Sequence, residues 1–350
     1  MKDNKRDGYG VALYPNGNVE YKGEFLDDKR FGKGKVYNPD CILKYEGNFI
    51  DGMKQGHGIE YNHEEEMIYQ GDFAEDVYHG SGTSYDIDNF KAYEGDWFKG
   101  IQHGNGALYD EEFKALCYEG TFVNGLREGI GKGFDYKGTK VYDGDWENDR
   151  KEGKGVSFTN KGVKIFEGEF KNGLRHGFGI SYYDNAAVMY CGDWICHKRH
   201  GKGTYFHING TVKFQGDFVD NFMEGKNVIY YDNGNARYAG EIKKDVADGT
   251  GTFFFKNGIK HWQGCFWKGM KHGRVSEFDK KGDFKMEGIF YEDKLVENEH
   301  DVEADRIKAL VKLHLGQEKE LTKQIQMCSV EVDVEGQDSQ LIKGSARRFK

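Results

Sequence analysis

The chain has 350 residues, 50 of them glycine and 2 proline, with 15% aromatic residues. That glycine share is about twice the usual one, yet it lacks collagen's triplet period and the proline of a disordered linker. A formal net charge of −9 argues against generic binding to nucleic acid or to an anionic membrane.

The opening segment MKDNKRDGYG holds no apolar stretch of the secretory-leader kind, and no apolar run approaches the ~18–20 residues of a membrane helix. A cytoplasmic location is therefore expected. Six cysteines (Cys41, Cys117, Cys191, Cys196, Cys265, Cys328) lack framework spacing and read as reduced thiols.

Gly8, Gly10 and Tyr14 then begin a pattern partway through its period. An aromatic-x-Gly-x-aromatic phrase follows, its glycine falling at 23, 47, 71, 95, 120, 144, 168, 192, 216, 240, 264 and 288. The step is 24 residues, except for 25 between Gly95 and Gly120. A fixed period of this length decides the architecture. Taking that glycine as position zero, aromatics occupy −2 and +2, glycines +9 and +11, and another aromatic +14. Tyr142, Trp146, Gly153, Gly155 and Phe158 show the pattern. Asn227 and Val275 replace the second glycine late in the chain, and Ile242 stands at one +2 position.

Aromatics two residues to either side of a glycine line one face of a strand. A break rich in Gly, Asn and Asp near +5 separates it from a second strand beginning near +9. That strand often ends in Asn-Gly or Lys-Gly, as at Gly138, Gly162 and Gly258. Each unit is thus predicted to be a hairpin rising ~10 Å, stable only when stacked on its neighbours. The zero glycine is expected to admit an aromatic ring from the neighbouring strand. The Gly-x-Gly pair is expected to supply a positive φ or a bulge.

The phrase Y-x-G-x-W/F-x-x-G-x-x-x-G-x-G resembles the MORN (membrane occupation and recognition nexus) repeat, over about residues 8–297. The resemblance implies an all-β fold: an elongated, curved, single-layer antiparallel sheet of about twelve hairpins, with a groove on its aromatic side. The domain expectation is a repeat array over 1–298, a helix over 299–328 and a polar tail over 329–350. The helical reading spans about Asp301 to Met327, where Ile307, Leu310, Val311 and Leu315 form one apolar stripe. Such a helix could cap the last strand edge, fill the groove or meet a partner.

No kinase, methyltransferase or hydrolase motif is recognisable, and the Gly-x-Gly pairs are not phosphate loops, so no enzyme, cofactor or metal is expected. Cys191, Cys196, His197 and His200 fit no standard zinc spacing. Histidines at +8, such as His79, His103 and His176, read as turn residues. Position +1 is acidic in eight units, among them Asp145 and Asp193, and reads as a solvated outer face. Lys33, Lys154, Lys202 and Lys226 at +10 are its candidate cross-strand partners.

Position +7, placed in the hairpin loop, is basic in seven units. Arg127, Lys151, Arg175 and Arg199, thickened by Arg150 and Lys198, make a basic rim for an acidic partner or lipid headgroup, unless they serve solubility alone. The rings read as core, and also as a partner-binding groove formed by Tyr93, Trp97, Tyr118, Phe122, Tyr142, Trp146, Phe166, Phe170, Tyr190 and Trp194.

The expected function is a non-catalytic structural scaffold. Relatives built almost wholly of such repeats include radial-spoke-head components of the ciliary axoneme and other cytoskeletal proteins, which is the placement the resemblance implies. Expected partners are proteins of a larger assembly, among them helical segments in the groove. The alternative is a membrane-proximal tether binding anionic phospholipid through the basic rim. No nucleic acid partner is expected, and homo-oligomerisation is left open.

Overall fold

The computed structural model describes residues 5–296 and 311–313. The chain forms two compact units: one runs to Glu224 and takes in Ile229–Gly234, and the other comprises Gly225–Val228 and the described residues from Asn235 onward.

In the first unit, β1 (Gly8–Leu13), β2 (Val19–Leu26) and β3 (Lys29–Tyr37) open a meander. It continues with alternating 8- and 9-residue strands to Val212–Val219. From β2 to Lys198–Phe206 each strand pairs antiparallel with the strand before it and the strand after it. The second unit repeats the arrangement from Ala236–Lys243 to Lys294–Leu295. The predicted hairpin series is the observed one.

Two turn types alternate. Within a repeat only +4 and +5 lie outside the strands, and both take positive φ, as Asn148 (47°) and Asp149 (65°) do. Two consecutive left-handed residues form the hairpin turn whose twist matches the strands, which is why Asn, Asp and Gly collect there. Between repeats a longer turn is closed by side chains. The Thr159 Oγ1 accepts the N–H groups of Lys161 and Val163, and Gly162 takes the left-handed place at φ 77°. The 25-residue step is absorbed here. The turn bounded by Asp110 and Ala115 closes through Asp110 N–H to Ala115 O, one residue longer than the turn from Asn62 to Glu66.

Register sets the zero glycines of the first unit beside +11 glycines. In the first unit Gly10, Gly23, Gly34 and Gly47 stand side by side, as do Gly144, Gly155, Gly168 and Gly179. A Cβ on Gly155 would land on the Tyr142 hydroxyl, and one on Gly144 would meet the Gly155 Cα and the same hydroxyl. So the −2 ring covers two glycines at once. One belongs to its own strand and one to the neighbour, where the sequence suggested the neighbour alone. In the second unit Val275 interrupts the line opposite Gly264.

The core is this ring face. Tyr142 meets Trp146 of its own repeat edge-to-face at 5.3 Å and Phe170 of the next repeat at 5.2 Å. The same zigzag runs from Tyr21 to Tyr93 and on through Tyr118, Phe166 and Tyr190. Edge-to-face pairs place ring edges on negative ring faces and add about 0.5–1.5 kcal/mol each beyond burial. In this repeat the polar ends are satisfied: the Tyr142 hydroxyl donates to Asp145 O at 3.0 Å, and Trp146 Nε1 donates to Gly131 O at 3.1 Å. The helical expectation falls almost wholly outside the described residues. Within it Val311, Lys312 and Leu313 are helical, and Val311 is buried.

Candidate interaction face

All ten rings expected to line a groove are buried, from 0% exposure at Tyr93, Tyr118, Tyr142, Phe166 and Tyr190 to 8% at Trp97. Phe122, Phe170, Trp146 and Trp194 fall between. The space implied on the aromatic side is thus filled by the rings themselves and by the residue at +7. Open hollows lie on the other face. One of about 540 Å³ is lined by Lys22, Lys33, Lys35, Glu46 and His57. Another of about 470 Å³ is lined by Glu94, Glu119, Lys132 and Asp143.

Because the turn is only two residues long, +7 is the second residue of a strand and not a loop residue. Lys151 pairs with Trp146 and shares its face, while Arg150 pairs with Glu147 on the opposite face. The same holds for Arg199 opposite Trp194 and Lys198 opposite Ile195. The six basic residues read as one rim therefore divide between two faces.

Each +7 cation lies over rings. Arg127 sits 4.5 Å from the Trp146 centroid, Lys151 4.6 Å from Tyr142 and Arg175 4.8 Å from Phe166. Arg199 is 5.2 Å from both Tyr205 and Phe218. Lys54 and Lys271 do the same in their repeats, and Tyr78 takes the place in another, stacked on Tyr69 at 3.7 Å. Sequence reasoning missed this role. The signal was available, since a two-residue turn at +4/+5 fixes the parity of +7.

The +1 carboxylates lie on the outer face as expected, but what they bind is the backbone and not a lysine side chain. Asp145 Oδ2 accepts the backbone N–H of Lys154 at 2.8 Å, and Asp193 and Asp96 accept those of Lys202 and Asn105. The carboxylate lies over the +9 glycine: a Cβ on Gly153, whose φ is 58°, would be 2.6 Å from Asp145 Oδ2. The pairing shifts register between Gly144 and Trp146, so the expected bulge is present with this acid as its clip. Among the described residues no ion pair joins Lys154 to Asp145 or Lys202 to Asp193. The +8 histidines read as turn residues lie in strands, His103 tilted against Phe98 at 5.7 Å.

Among the described residues no group of three or more His, Cys, Asp or Glu is placed to hold a metal ion. Cys196 and His197 are the two left-handed residues of a hairpin turn, and Cys191 is half-buried in a strand. The five described cysteines are free thiols. No described helix is long and apolar enough to cross a membrane.

The sequence matches the MORN repeat at eleven stretches: 1–19, 21–40, 45–62, 69–89, 93–110, 118–132, 142–163, 166–186, 190–212, 214–236 and 238–260. The chain belongs to the MORN repeat family. MORN repeats are interaction modules for proteins and membranes and are not themselves catalytic domains. No curated protein matches the chain. Solved structures similar to it include TcdB2–TccC3 without its hypervariable C-terminal region, at 10% identity over 83% of this chain and 18% of that one, TM-score 0.17. A Photorhabdus luminescens Tc holotoxin pore with a substituted TccC3 matches at 9% identity with the same coverage and TM-score. This MORN protein spans under a fifth of the length of those chains.

Proposed function

We propose that this MORN protein is a non-catalytic scaffold within a cytoskeletal assembly, with the radial spoke of a ciliary axoneme as its specific place. One observation carries the scaffold reading. The repeated residues are accounted for by building the sheet: −2 and +2 as rings, zero and +11 as the surface they cover, +9 and +1 as the bulge and its clip. What remains variable is the residue at +7 and the outer face, as a docking surface requires. The axonemal placement rests on the family resemblance.

The test is extraction of native cells with non-ionic detergent followed by a salt series, tracking the protein by antibody and cross-linking the insoluble fraction. The reading expects retention until high salt and cross-links to neighbouring proteins. Release with lipid at the detergent step would sink it in favour of a phospholipid tether.

A further inference from the structure

Elsewhere in the chain most +7 cations carry an acid of their own. Arg6 bonds Asp28 at 3.2 Å, Arg30 bonds Glu20 at 2.8 Å, Lys54 bonds Glu60 at 2.6 Å and Arg127 bonds Asp149 at 2.9 Å. The acids come from three places: −3 of the same repeat, +13 of the same repeat, and +5 of the next one.

In the three consecutive repeats of Lys151, Arg175 and Arg199 all three places are vacated. Position −3 holds Val141, Ile165 and Met189, +13 holds Ser157, Ser181 and Tyr205, and the following +5 holds Gly173, His197 and Asn221. Among the described residues none of these three cations has an ion pair. The turn still closes on neutral groups, since Arg175 N–H donates to His197 Nδ1 at 3.1 Å and Arg199 N–H to Asn221 Oδ1 at 2.8 Å. The Ser181 hydroxyl, on the same face between Phe166 and Tyr190, is fully buried without a partner. Burial lowers the pKa of Lys151 and Arg175, and the neighbouring Arg127 and Arg175 charges lower Lys151 further. Half-buried cations in a row without counter-charge cost stability, and an anionic partner removes that cost.

We infer that the ring face at Lys151, Arg175 and Arg199 docks an acidic α-helix of a partner protein, with carboxylates seven residues apart meeting the three cations in turn. Spacing selects this occupant. Successive +7 residues are two strands, ~10 Å, apart, and seven helical residues advance ~10.5 Å. A helix laid across strands keeps its own backbone bonded, whereas an extended segment in that direction would leave its amides unpaired. A membrane surface suits the row less well, because Arg150 and Lys198 point to the other face. The inference rests on the scaffold reading and narrows it.

The test uses the full chain and two synthetic helices of equal length, one with Glu at i, i+7 and i+14 and one with Gln there, titrated by fluorescence anisotropy. The Glu peptide should bind at least tenfold tighter, with a preference that fades as salt rises. The variant Ser157→Glu, His197→Asp, Asn221→Asp copies the acids that Lys54 and Arg127 already have, so it should fold as well as the parent and lose the preference. Equal binding of the two peptides, or an unchanged preference in the variant, would overturn the inference. So would sedimentation with phosphatidylserine vesicles that the variant abolishes while peptide binding is absent. Each of these results leaves the scaffold reading to the extraction experiment on the parent protein, which does not depend on this row of cations.

Discussion

A methyl group added at Gly155 would occupy the place of the Tyr142 hydroxyl in the middle of the sheet, while one added at Gly173 meets nothing within 4 Å. Overpacking a rigid ring and backbone costs about 3 kcal/mol, whereas the left-handed φ of 82° at Gly173 costs an alanine about 1 kcal/mol. Gly155→Ala should therefore lower the urea midpoint far more than Gly173→Ala, and equal losses would refute the ring-over-glycine account. The −2 hydroxyl is a smaller part of the same contact. Tyr142→Phe removes its bond to the Asp145 carbonyl and should cost about 1 kcal/mol, a modest loss because Phe166 and Phe214 serve at this position naturally. The face of each ring was legible in the sequence, because period two survives any register. The partner of Asp145 was not, because a bulge hides which atom of the next strand a +1 carboxylate reaches.

Strands and turns set the pH and charge behaviour. Burial, the first cause, pushes the phenols of Tyr21 and Tyr118 up to about 12 and raises those of Tyr45, Tyr69, Tyr93, Tyr142, Tyr190 and Tyr238 as well. The folded state then holds these protons more tightly than the unfolded state. Their contribution is complete below the ordinary phenol value near 10 and is lost as pH rises from there toward the folded values. Melting temperature should fall steeply above pH 10, and each Tyr→Phe change at −2 should soften that fall. A melting temperature flat through pH 11 would contradict the burial. At +7, Arg127→Ala removes a cation from the Trp146 ring and breaks the Asp149 pair, costing about 1–2 kcal/mol. Arg150→Ala, on the other face, should stay within about 0.5 kcal/mol. Denaturant titration of the two variants separates them. The Asn-Gly turns were read correctly from sequence. The place of +7 was not, because the loop was given more residues than the +4/+5 pair occupies.

Across the molecule the period itself is the strongest claim, and it was the most legible feature. Identical units stacked on neighbours make stability a sum over repeats and interfaces. Removing residues 142–165 joins Val141 to Phe166 and restores the register, so that protein should fold with reduced stability. Removing 142–164 leaves one residue too many and turns a whole strand's rings to the wrong face. Circular dichroism melting of the two deletions should show a cooperative transition only in the first. Legibility ended where repeats differ. That three consecutive cations lack their acids is visible only once the structure shows which positions supply them.

Labour is therefore divided within the repeat, with the recurrent residues building the sheet and the unneutralised cations holding the partner. The most direct test is to replace the native protein in cells with the Ser157→Glu, His197→Asp, Asn221→Asp variant and repeat the salt extraction. The variant is predicted to melt no lower than the parent but to leave the insoluble fraction at markedly lower salt. Release at the same salt as the parent would contradict the claim that this row of cations is where the scaffold engages its assembly.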